Sequence, residues 1–153
     1  MTLNTTMPPA TSATTAQAPA LPRMLHVETV ATIVGRSLLA LLFITAGVVK
    51  ILHPQPFLEH MAQFGVPGSL LPAVIALELG AGLAILIGWR LRDAAGALAF
   101  FCVLTAVIFH HQWSISAERT LFFKDLALAG GLFFMSATGA VRARLRAEAV
   151  AFS

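Results

Sequence analysis

Six side chains that a bilayer normally excludes stand within or at the ends of long apolar stretches of this sequence: Arg36, Lys50, Glu78, His110, Lys124 and Asp125. A charge held at mid-bilayer costs on the order of 2.5–3.5 kcal/mol even on the most lenient insertion scale, so each of these residues needs a partner or a use. Their types define the chemistry on offer. Carboxylates and an imidazole exchange protons, while ammonium and guanidinium groups donate hydrogen bonds to carbonyl or carboxylate oxygens. The residues therefore make either a pocket for a polar ligand head or buried ion pairs that only fix how the helices register.

Spacing narrows the partners. Arg36 and Lys50 are fourteen residues apart, and fourteen steps of ~100° return to within ~40° of one direction, so both can face the bundle interior and Glu78. Laying each span from its start puts Glu78 near the midplane and Arg36 within about two turns of it, with Lys50 farther away near the outer end. Arg36 is thus the preferred partner of Glu78. Lys124 and Asp125 are adjacent and point ~100° apart, so one of them faces inward. Lys124 is long enough to snorkel to the headgroups, whereas the short Asp125 needs an inward partner, and His110 suits it.

Four of the histidines, His53, His60, His110 and His111, fall on the outer side. No second helix carries a mid-membrane histidine to complete a bis-histidine pair, so no haem or metal site is expected. His53, His60 and His111 read as surface or interfacial groups, and His110 is the exception beside the other polar residues.

The elements that must carry these residues are helical and membrane-spanning. The 153-residue chain is 58% hydrophobic and 11% charged, against ~25% charged residues in an ordinary soluble domain. Its mean hydropathy of +0.82 is spread over four stretches, about Val30–Leu52, Leu70–Trp89, Ala94–His111 and Leu121–Val141. Each is long enough to cross a ~30 Å hydrocarbon core at ~1.5 Å per residue. The intervening HPQPFLEHMAQFGVPGS carries Phe57, Met61 and Phe64 on one helical face, the stripe of a short interfacial amphipathic helix that GVPG would stop. The fold class predicted is all-α: an integral membrane four-helix bundle with that short helix after the first span. Ala76 with Gly80 and Ala127 with Gly131 offer small-residue faces for close helix packing.

Residues 1–28, rich in Thr, Ala and Pro, read as a disordered cytoplasmic tail, 29–141 as the transmembrane domain and 142–153 as a basic cytoplasmic C-terminal tail. Arg23, Arg90, Arg92, Arg142, Arg144 and Arg146 gather on one side, which predicts a multi-pass protein with both termini cytoplasmic. A pI of about 10.0 arises from these helix-end arginines and a net charge of only +3, so no nucleic-acid partner is expected. Cys102 is the single cysteine, which excludes an intrachain disulfide, a CxxC pair and a thiolate metal cluster.

GRSLLALLFITAGVVKIL, FLEHMAQFGVP, LELGAGLAILIGWRLRDAA and FFKDLALAGGLF, taken in order over about Val34 to Gly139, resemble the DoxX family of small bacterial membrane proteins. Relatives often carry Lys-Asn where Lys124-Asp125 stands here. The resemblance implies a four-helix protein of the bacterial inner membrane that serves an oxidoreductase system linked to the quinone pool, with a soluble or membrane redox partner protein; one branch of the family is linked to thiosulfate oxidation. It implies quinone as the cofactor, and the residues are compatible with one: Arg36, Lys50, Glu78 and Lys124 are available to contact its head, with Arg36, Lys50 and Lys124 as donors, and Glu78, Asp125 and His110 to relay protons. Phe100, Phe101, Phe109, Phe122 and Phe123 are available as aromatic walls, although phenylalanines in such helices more often face lipid or core. A non-enzymatic scaffold or assembly partner, and a small proton or solute pathway, are the alternative functions.

Overall fold

The computed structural model of the protein describes residues 21–151, with side chains placed over 29–139. Five α-helices and one 3-10 turn follow in order: α1 Leu21–Leu52, α2 Pro54–Gln63, the turn Gly68–Leu70, α3 Leu71–Ile87, α4 Leu91–Phe109 and α5 Ser116–Ala151. Four helices among the described residues are long and apolar enough to cross a membrane, over Thr29–Leu52, Gly68–Ile87, Leu91–Phe109 and Ser116–Gly139. The expected all-α architecture is present, with the short helix directly after the first span. Of the expected N-terminal tail, residues 1–20 lie outside the described residues, while α1 already begins at Leu21. The C-terminal segment continues α5 as far as Ala151.

Local chemistry sets the breaks. Two prolines open α2 where their missing N–H groups cost nothing, and Gly65 at φ 69° ends the segment. Gly88 closes α3 at φ 79°, with its N–H bonded to Ile85 and that of Trp89 bonded to Ala84. This is the left-handed helix stop that glycine adopts without a Cβ clash. Arg90 then starts α4, and its guanidinium holds Asp93 at 2.8 Å.

α1 packs on α3, α3 on α4, and α4 on α5. On α4 the inward face is a seam of small residues, Ala95, Ala99, Cys102 and Ala106, at helical spacing with Leu98, which lets neighbouring helices approach closely. With Ala40, Phe43, Ile85, Ala129 and Leu132 they form the packed core. Large apolar side chains such as Leu38, Leu41, Phe100 and Phe134 point outward, as they must when the solvent is lipid. The small-residue pairs are a correction. A Cβ at Gly80 or Gly131 would meet nothing, and the close α1–α3 approach is instead at Gly47, where it would meet Leu79 at 2.8 Å, and at Gly82, where it would meet Ile44 at 3.0 Å. Ala76, Gly80, Ala127 and Gly131 are all exposed, because the inward faces of α3 and α5 are taken by Glu78 and Ile85 and by Asp125, Ala129 and Leu132.

Candidate functional site

The packed core lies toward the end of the bundle that carries Leu21 and Ala151. Toward the other end, under α2, lies a half-open cavity of about 640 Å³ lined by α1, α2, α3, α4 and α5. Lys50, Glu78, His110, Lys124 and Asp125 all line it. Five of the six residues singled out by type and spacing are therefore in one place.

Glu78, in the middle of α3, is only 3% exposed. Both its oxygens accept from Lys50 Nζ, at 2.8 and 2.9 Å. The face of Phe57, on α2, lies 4.9 Å from the same ammonium, a cation–π contact that is worth most where water is excluded. Lys50 has three N–H donors and Glu78 takes two, which leaves one for a ligand in the cavity.

Arg36 is the correction here. It is not at Glu78 but donates to the Leu86 carbonyl at 3.3 Å, and it lies against Gly88. There it satisfies an orphan carbonyl and the negative end of the α3 dipole. The cause is register. Close approach at Gly47 and Gly82 pairs the outer part of α1 with the middle of α3, so Lys50 comes level with Glu78. Arg36, fourteen residues away, sits about 21 Å along the axis at ~1.5 Å per residue.

On the opposite wall Asp125 is 9% exposed and turned inward, while the neighbouring Lys124 is 56% exposed with Nζ 3.9 Å from the carboxylate. His110 caps the end of α4 and directs Nε2 toward Asp125 at 3.8 Å, the pairing expected, but too long for a direct hydrogen bond. Its Nδ1 lies 2.8 Å from Glu118 Oε2. Glu118 did not stand out in the sequence because it precedes the apolar stretch. The signal it carries is its position seven residues before Asp125, two turns along the same face.

Three further residues belong to the site. His60, expected at the surface, lines the cavity and stacks on Phe109 with centroids 5.1 Å apart. Cys102 and Thr105 also line it; the threonine hydroxyl donates to the Phe101 carbonyl and so offers the cavity only acceptor capacity. Of the candidate aromatic walls, Phe101 and Phe109 line the cavity, Phe100 and Phe123 are exposed, and Phe122 packs on Trp113. His53 and His111 are exposed, as expected. Among the described residues no group of three His, Cys, Asp or Glu side chains converges to hold a metal ion.

The cavity is thus apolar over most of its wall, with a lysine–glutamate pair on one side and Asp125 with His110 on the other, the far ring nitrogen of His110 meeting Glu118 outside the lining. The DoxX family pattern matches residues 31–111, more than half of the chain. The chain belongs to the DoxX family. It is similar to inner membrane protein YqjF of Escherichia coli K12, 41% identical over 116 residues covering 76% of this chain and 89% of the relative. It is also similar to inner membrane protein YphA of the same organism, 30% identical over 114 residues, 70% of this chain and 81% of the relative. No solved structure matches the chain. With its four apolar helices and these relatives, this DoxX-family member is a multi-pass protein of the bacterial inner membrane. The family match takes in Lys50, Glu78 and His110; Glu118, Lys124 and Asp125 lie beyond it, on α5.

Proposed function

We propose that this DoxX-family protein is a quinone-interacting subunit of a membrane oxidoreductase system, and that the cavity beneath α2 holds the quinone head. The observation that carries this reading is the composition of one cavity: about 640 Å³, within the ~300–1,000 Å³ of ligand sites, walled by Phe43, Phe57, Phe101 and Phe109 and provided with both hydrogen-bond donors and proton-exchanging groups. A planar ring with two carbonyl oxygens needs an apolar slot and donors at its ends, and these residues fit that need. When bound, a quinone would supply a two-electron, two-proton couple.

The protein's own part is binding and proton handling. Lys50 directs its remaining N–H at a carbonyl oxygen while Glu78 keeps the ammonium in place and neutralises it. Lys124, at the rim, is the second donor. Asp125 and His110 hold the exchangeable protons on the opposite wall. A partner protein bearing a flavin, haem, metal or reactive thiol delivers the electrons, because a single cysteine is the chain's only redox-active thiol.

The scaffold reading has one observation in its favour: the Lys50–Glu78 pair also ties α1 to α3, so it would contribute to packing without any ligand. A continuous proton or solute path is less well supported, since the polar groups gather in the half under α2 and the packed core occupies the other half. The test is to purify the protein in mild detergent and extract its bound lipids. Quinone is expected in wild type and depleted in Lys50→Gln; folded wild-type protein that neither retains added quinone nor binds it on titration would sink the reading in favour of the scaffold.

A further inference from the structure

Proton delivery to a buried site needs a route from water, and the cavity has one wall that provides it. Glu118 and Asp125 are seven residues apart on α5, hence within ~20° of one direction and about 10 Å apart along the axis. The His110 ring, carried on the end of α4, lies between them, with Nδ1 2.8 Å from Glu118 and Nε2 3.8 Å from Asp125. Exposure falls along the series: the side chains of Glu118, His110 and Asp125 are 25%, 14% and 13% exposed. The other carboxylate of the cavity has no such outlet. Glu78 gives both oxygens to Lys50 and is buried in mid-helix.

We propose that Glu118 is the mouth of a proton path that runs through His110 to Asp125 and so into the cavity. This rests on the quinone reading. Glu118 takes a proton from solvent and passes it to His110 Nδ1; the Nε2–H bond breaks as Asp125 closes the 3.8 Å gap and takes that proton; Asp125 then gives it to the ligand's carbonyl oxygen. Each passage moves one proton from water to one new O–H bond, and the ring returns to its starting tautomer before the next. The two electrons come from an external donor. Glu118 touches no ligand, so it acts through His110.

The full-length protein in lipid nanodiscs, loaded with decylubiquinone, is reduced by pre-reduced methyl viologen, a donor that carries no proton. Quinone absorbance and a pH-indicator dye are followed together. Glu118→Gln, whose amide N–H can donate to Nδ1 but gives up no proton, is expected to leave quinone affinity unchanged and to slow proton uptake on the order of ten-fold or more, with acetate restoring the rate; Glu59→Gln, at an exposed carboxylate on α2, serves as control. Uptake at the wild-type rate in Glu118→Gln overturns the path and leaves the quinone reading intact. So does loss of quinone, or slow uptake that acetate fails to restore, either of which makes Glu118 a structural residue. Wild-type protein that holds no quinone overturns both.

Discussion

Lys50 and Glu78 make the most consequential contact in the molecule, because each is costly in the membrane without the other. Removing one partner from a buried pair strands the other, at about 3–5 kcal/mol, whereas replacing both with apolar residues of similar volume is near neutral. Lys50→Met is therefore expected to lower the thermal unfolding temperature in detergent sharply, and Lys50→Met with Glu78→Leu to recover most of it. Arg36→Leu removes only a helix-end cap and a dipole interaction, about 0.3–1 kcal/mol, so a small shift with unaltered quinone content is expected from the same thermal scan and lipid extraction. An equal effect of Arg36→Leu and Lys50→Met would contradict the partner assignment.

The helices stand in the register that brings these groups together because α1 and α3 meet at glycines. Gly47→Val would drive a side chain into Leu79, already 2.8 Å from a Cβ at that position, and overpacking of this kind costs about 1–3 kcal/mol. Gly131→Val, where a Cβ meets nothing, is expected to leave the unfolding temperature nearly unchanged. Comparing the two by thermal unfolding tests where the close approach lies. The same contrast explains what is visible in the amino-acid sequence and what is not. Spans, the interfacial helix and its GVPG stop rest on hydropathy, prolines and glycines that act within a few residues, and all are legible there, whereas the second span, read through Trp89, already stops at Gly88. The partner of Glu78 is not, since aligning span centres ignores that α1 is offset toward the terminal end; Gly47 and Gly82 set that offset across the bundle. Glu118 is hidden for a different reason. It lies just ahead of the apolar stretch, and only its seven-residue spacing from Asp125 betrays a shared face. His60 likewise faces inward because α2 folds over the cavity, a tertiary choice that an amphipathic stripe alone leaves open.

At the scale of the whole molecule, four spans leave Leu21 and Ala151 at the same end of the bundle, and we propose from the arginines of the α3–α4 turn and the C-terminal segment that this end is cytoplasmic, as the positive-inside rule predicts. Alkaline phosphatase fused after Ser153 is expected to be inactive, and the same enzyme inserted between Gln112 and Trp113 active; the reverse pattern would invert the topology. In that orientation Glu118 and the cavity mouth open toward the periplasm. The bundle as a whole divides into a packed half that holds the helices together and a hollow half lined by Lys50, Glu78, His110, Lys124 and Asp125. The most direct test of that hollow half as a quinone site uses the variant that keeps the fold and discards the charges. Decylubiquinone titrated into wild-type protein and into Lys50→Met/Glu78→Leu, both in nanodiscs and both verified as folded by thermal unfolding, should bind saturably to the first and at least about ten-fold more weakly to the second, a difference of ~1.4 kcal/mol. Equal binding by the two proteins, or saturable binding by neither, would contradict the account.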